Sequence, residues 1–354
     1  MRKLFLFIIP LLLCSCGGNP SSSSEASSES IISSSSESSS SIEPRPGYIN
    51  LYAINDYHGR ISEDSSQKNK GISKVAAFLE QEREKHPEEN IFLNAGDLWQ
   101  DTYESEASKG KCLIESMIQM DCEAMAIGNH EFDWGLEVIE NNKKLGDEGN
   151  FNLLGANVYN FDKNINEATT HADNLCDEYK IVEVNDLKIG IIGIIGSEQI
   201  TSITSSIWEN LIFVDPLEIV KDLSDELKNE KDCDAVILLA HSNVSSLGNK
   251  FTGEITKVSN VSNKKYIDAC FTGHSHTIEN EIINDVPFVQ SSWKGEYLSH
   301  IELKIDNEVS VIAHENLSVQ TDKIDANVAQ IADKYITPDF IEEKNRPVLN
   351  IEGL

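Results

Sequence analysis

Apolar positions in this chain recur in short blocks with two different periods. "INLYAIND" (49–56), "NIFLNAGD" (90–97) and "EAMAIGN" (123–129) read as strands, and "SKVAAFLEQEREKH" (73–86) and "GKCLIESMIQM" (110–120), with helical spacing, lie between them. This alternation predicts an α/β layered domain. "YKIVEVNDLKIGIIGIIG" (179–196) reads as two strands turning at Asn185 and Asp186. Asp215, Pro216 and Glu218 open a helix as N-cap, first-turn proline and capping-box acid. "DAVILLAH" and "IDACFTGH" follow as strands, and after "VPFVQSS" the segments "YLSHIELKID" and "EVSVIAHENLSV" close the pattern as an antiparallel pair.

The N-terminal segment breaks this plan. Residues 1–16 place Arg2 and Lys3 before about ten apolar residues, the layout of an export signal and too short for a spanning helix. They end in "LCSC", which resembles the bacterial lipobox. Cys16 is the expected acylated residue, and acyl chains there would anchor the protein to the extracytoplasmic face of the membrane. Residues 17–46 are almost all serine with scattered Glu, which buries too little apolar surface to fold and is expected to be a disordered tether.

Nearly all of the chain's net charge of −30 lies beyond that tether. An acidic body with no basic stripe argues against a nucleic-acid polymer as partner and tolerates bound divalent cations. Cys112, Cys122, Cys176, Cys233 and Cys270 are odd in number and form no CxxC pair, so neither a disulfide framework nor a cysteine zinc site is indicated.

The polar clusters "NDYHGR" (55–60), "GDLWQDT" (96–102), "GNHEFD" (128–133), "AHSN" (240–243) and "GHSH" (273–276) each end a predicted strand. Ligand crevices of open α/β sheets lie at such carboxyl ends. A helix cap would account for Asn129 or Glu131 alone. It does not account for five of the chain's nine histidines falling in these clusters with Asp56, Asp97, Asn129 and Asp133. On extended backbone, Asp56 with His58 and His274 with His276 would point to one side. The mixture of imidazole, carboxylate and amide suits two divalent ions such as Zn, Mn or Fe, and such a pair clamps a phosphoryl group for hydrolysis.

Taken in order, the clusters resemble the calcineurin-like metallophosphoesterase superfamily, and "NDYHGR", "GNHEFDWG" and "VPFVQSSWKGEYLSHIELKID" its secreted 5'-nucleotidase branch. The resemblance spans about residues 49–305 and implies a four-layer-type α/β domain of mixed sheets flanked by helices, here residues 47–325. It implies that Asp56, His58 and His276 bind one metal, that Asn129, His241 and His274 bind the other, and that Asp97 bridges them. It gives His130 the phosphate and the leaving oxygen, with Asp133 orienting it and Asn129 also donating to the phosphate. The expected reaction is attack of metal-bound hydroxide on nucleoside monophosphates or similar small esters. A 2',3'-cyclic phosphodiesterase, a nucleotide-sugar hydrolase and a non-catalytic surface lipoprotein that retains the metals are the alternatives.

Asp101 and Asn243 stand where the family commonly has glycine, and both residue types tolerate left-handed backbone. Residues 326–354 resemble the linker to a C-terminal specificity domain. His86, His171, His300 and His314 are expected at the surface, Trp99 and Trp134 in the cleft wall or the core, and Glu131 has no assigned role.

Overall fold

The structure is a computed structural model that describes residues 43–345, apart from 243–244, 248–249, 255 and 257–265. Cys16, the export signal, the tether up to residue 42 and Asn243 lie outside the described residues.

Two six-stranded mixed sheets face each other. The first contains β1 (Tyr48–Ile54), β2 (Asn90–Asn94), β3 (Cys122–Ala126) and β4 (Asn152–Leu154), all parallel, with β16 (Tyr297–Ile305) antiparallel beside β1 and β17 (Val309–Ser318) antiparallel beside β16. A small sheet of β5 (Val158–Asp162), β6 (Glu167–His171) and β9 (Leu211–Phe213) stands apart. The second large sheet orders β14 (Ile278–Ile283), β15 (Val286–Ser291), β13 (Ala269–Thr272), β10 (Ala235–His241), β8 (Leu187–Ile195) and β7 (Tyr179–Val184). A short hairpin, β11 (Ser245–Leu247) with β12 (Lys250–Thr252), follows β10.

Side-chain alternation in β1 explains the layering. Ile49, Leu51 and Ala53 enter the core between the sheets with Ile191, Ile237 and Phe271, while Tyr52 and Ile54 turn to the opposite face. There they meet α1 (Ile72–Arg83) and α3 (Lys111–Gln119). The far side of the second sheet is covered by α5 (Pro216–Asn229) through Val220, Leu223 and Leu227. The order is therefore helices, sheet, sheet, helix, as expected. The remaining helices are α2 (Tyr103–Ser108), α4 (Leu136–Glu148), α6 (Ala326–Tyr335) and α7 (Pro338–Lys344).

Local chemistry accounts for the connections. Asn185 and Asp186 both adopt positive φ, 50° and 61°, which matches the strand twist of a two-residue hairpin between β7 and β8. Asp215 caps α5 by accepting from Leu217 N at 2.9 Å, whereas Glu218 pairs with Lys221 at 2.7 Å rather than closing a capping box. Within the segment read as linker-like, α6 buries Val328 against α1 and α3 and Tyr335 donates to Glu115 at 2.7 Å; α7 stacks Phe340 on Tyr103. All five cysteines within the described residues are buried and free. None of the described helices is long and apolar enough to cross a membrane.

His300 departs from expectation. It is buried, stacks on Tyr52 with ring centroids 4.8 Å apart and bonds Asn50 Oδ1 at 2.9 Å, because β16 is an interior strand whose helix-side face is covered. Trp99 belongs to the core, and Trp134 packs half-buried beneath the Lys109 ammonium.

Candidate metal centre

Five strands of the two sheets, β1, β2, β3, β10 and β13, end at one seam and deliver the predicted residues there. The first sheet supplies Asp56, His58, Asp97 and Asn129, and the second supplies His241, His274 and His276. One cluster joins Asp56, His58 and His276, with His276 Nε2 3.3 Å from Asp56 Oδ1 and 2.9 Å from His58 Nε2. A second joins Asp97, His241 and His274, with His241 Nε2 3.1 Å from Asp97 Oδ2. Asn129 Oδ1 lies 3.2 Å from His241 Nε2 and 2.9 Å from His274 Nδ1. Asp97 also clusters with His58 and His130, so its carboxylate borders both groups.

These residues meet for a different reason than strand alternation. Asp56, His58, Asp97, His274 and His276 all have φ between 50° and 76°, left-handed backbone that turns each loop sharply back over the sheet end. For residues other than glycine such conformations are uncommon and cluster at functional sites. Asp101 shares the sign, with φ 107°, in accord with its glycine-like position.

Burial and charge set the protonation of the cluster. Burial pushes His58 down to about 4, against the pull of Asp97 and Asp56, which keeps its ring neutral. For His241 burial acts in the same sense but Asp97 outweighs it, raising the ring to about 10. The Asp97 carboxyl, although buried, is held well below the usual carboxylate range, chiefly by His241. Two imidazole nitrogens facing each other at 2.9 Å cannot both be satisfied without a shared proton or a cation between them. Imidazole that is neutral, as at His58, or that would yield its proton to an ion, as at His241, forms with buried carboxylate and amide oxygen a donor set that fits divalent metal ions. His241 Nδ1 bonds Ala95 O at 2.9 Å, leaving Nε2 to face the site.

His130 sits at the open side of this seam, 35% exposed, with Nδ1 2.6 Å from Asp133 Oδ2. Burial opposes its protonation, but Asp133 and then Asp97 overcome it and raise the ring to about 9. Its backbone N donates to Asp97 Oδ1 at 2.9 Å.

Glu131 acquires a function. Its fully buried carboxylate accepts from the backbone N–H of Gly128 at 2.7 Å and of Asp97 and Leu98 at 2.9 Å each, tying the "GNHE" loop to the "GDLW" loop. Gly128 completes the contact, because a Cβ there would lie 2.2 Å from Asp97 Oδ1. Its φ of −102° demands no glycine, so close approach rather than a tight turn explains it. Gly135, φ 89°, is the residue that needs the conformation. Glu131→Gln would keep one oxygen for Gly128 and Asp97 but turn its NH2 toward the Leu98 N–H and strand that buried donor, at a cost of about 1–3 kcal/mol. We expect a melting temperature lower by several degrees in calorimetry; an unchanged melting temperature would count against the tie.

Two other residues escaped sequence reasoning. Asn55 donates to Asp56 Oδ2 at 2.6 Å and accepts from Ser291 N at 2.9 Å, clamping Asp56 to β15. Trp293 stacks on His276, centroids 4.7 Å apart and planes 22° apart. Both stand inside quoted motifs, Asn55 in "NDYHGR" and Trp293 in "VPFVQSSWKGEYLSHIELKID", but neither motif says what the side chain touches.

The calcineurin-like phosphoesterase profile matches residues 49–277, which carry every one of these clusters. The chain belongs to the calcineurin-like phosphoesterase family. It is 27% identical over 349 residues to the 5'-nucleotidase of Bos taurus, covering 87% of this chain and 56% of that one. It is 24% identical over 326 residues to endonuclease YhcR of Bacillus subtilis, covering 86% and 26% respectively. The crystal structure of calcineurin-like phosphoesterase YfkN from Bacillus subtilis superposes with TM-score 0.71 at 20% identity, over 85% of this chain and all of that one. The chain spans about half the length, or less, of these curated relatives.

Proposed function

We propose that this phosphoesterase releases phosphate from nucleoside monophosphates or related small phosphate esters, using two divalent ions held by Asp56, His58 and His276 on one side and Asn129, His241 and His274 on the other, bridged by Asp97. The observation that carries the reading is the convergence of both clusters on Asp97 with the His130–Asp133 pair beside them. Ions bound there would polarise the phosphoryl group and lower the pKa of bound water. The chain's own residues do the rest. The Asn129 amide is free to donate to a phosphoryl oxygen through its nitrogen while its Oδ1 faces the two histidines. Asp133 holds His130 Nδ1–H, so Nε2–H points outward to bind the leaving oxygen and hand it a proton as the P–O bond breaks.

The acidic body supports small esters over polynucleotides, since it offers no electrostatic gain along a phosphate backbone. We also propose that Cys16 anchors the protein on the outer face of the membrane, which the lipobox and Ser-rich tether support.

The test is phosphate release by metal-loaded protein from AMP, a 2',3'-cyclic nucleotide, a UDP-sugar and an aryl phosphate. AMP is expected to be hydrolysed. Faster turnover of the cyclic nucleotide or UDP-sugar moves the chain to that chemistry, and full metal content with no release from any ester sinks the enzyme reading.

A further inference from the structure

His276 is held differently from the other histidines of the centre. His241 is buried, with Nδ1 bonded to Ala95 O at 2.9 Å. His276 is 35% exposed, its Nε2 faces Asp56 and His58, and among the described residues nothing hydrogen-bonds its Nδ1. A histidine that ligates a metal ordinarily donates its other ring N–H to a carboxylate or carbonyl, which sets the direction of the ring. At His276 an indole takes that place. Trp293 stacks on it with centroids 4.7 Å apart and planes 22° apart. The same indole meets His58 edge-on, centroids 6.3 Å apart, so it borders two members of the first cluster.

The turn that carries Trp293 is tied to the segments that carry these residues. Lys294 N donates to Asp56 O at 2.9 Å, and Asn55 Nδ2 donates to Ser292 O at 2.6 Å. Ser292 N donates to the carbonyl of Thr277, one residue past His276, at 3.0 Å. Ser292 and Lys294 both adopt left-handed φ, 65° and 57°, a backbone that persists outside glycine only where the surroundings over-determine it. The Lys294 ammonium lies 3.5 Å from the centroid of the same indole and braces it further.

We propose that Trp293 is a positioning residue for the ion at Asp56, His58 and His276. By stacking on His276 it holds Nε2 toward Asp56, so the affinity of that position depends on the indole and the affinity at Asn129, His241 and His274 does not. This deepens the phosphohydrolase reading and rests on it for the presence of two ions only. A tryptophan that merely fills space would affect both ions alike or neither. A positioning residue weakens one ion of two.

The experiment dialyses the manganese-loaded full chain against graded chelator and counts the metal left per chain by elemental analysis. Trp293→Leu is expected to give up one of its two ions at about tenfold lower chelator than wild type, and the other ion as wild type does. Trp293→Phe, which keeps a ring to stack, should recover most of the difference. His276→Ala should weaken the same ion, and adding Trp293→Leu to it should change little further, because the indole acts through that imidazole. Two ions retained as in wild type, two ions lost together, or effects of Trp293→Leu and His276→Ala that simply add would overturn the proposal. If Trp293→Leu does not melt cooperatively, Trp293→Met carries the same comparison. A wild type that holds two ions and hydrolyses no ester refutes the enzyme reading and leaves the positioning role standing, whereas one that holds fewer than two overturns both.

Discussion

Asp97→Ala is expected to lose phosphate release by roughly 10³-fold or more, on the scale of removing a preorganised charge from the transition state, and to lose metal from both clusters. Asp97 is 1% exposed, shares ligand-forming clusters with His58 and with His241 and His274, and supplies the negative charge that faces His241. Its removal also leaves His241 buried without its partner, and breaking a buried pair in that way costs about 3–5 kcal/mol. Asp97→Asn keeps the volume and serves as the folded control. Metal counted per chain by elemental analysis decides the result: a variant that melts normally and holds full metal would contradict the bridging role.

His130→Gln is expected to behave differently, with turnover lower by about 10² to 10⁴ and metal retained. The ring is as exposed as that of His276, its Nδ1 is committed to Asp133, and Nε2 is the atom left for substrate. The structure makes this a demanding comparison, because His130 also clusters with His58 and Asp97 closely enough to ligate an ion. Loss of metal in His130→Gln, measured in the same way, would move the residue from proton donor to ligand.

The strands that carry the clusters were legible because their apolar blocks each ended in a His or Asp cluster, whereas β4, β5, β6, β9 and β14 went unread, and the layer order and the seven candidate ligands came from the family resemblance. The reason the ligands converge was not legible. Sequence pattern suggested an extended segment for Asp56 with His58 and for His274 with His276, whereas the backbone turns left-handed at each, a property set by tertiary contacts such as His274 N donating to Asp56 at 2.9 Å. Glu131 was visible as an acid in a motif, but its three acceptances come from two separate loops. His300 looked exposed because alternation reveals a strand's two faces and does not say whether a helix covers the polar one. Trp293 fell inside a quoted motif without an assigned role, since its role depends on stacking against the ring of His276.

The five left-handed residues of the candidate metal centre carry a cost in folding energy. At about 1–2 kcal/mol each for a side chain in that conformation, their sum is comparable to the whole net stability of an ordinary domain. Substituting glycine for them would relieve the strain and delete the chemistry, so selection for stability alone pushes this seam toward inactivity. Aspartate or histidine at all five positions is what a site that trades folding energy for chemistry requires.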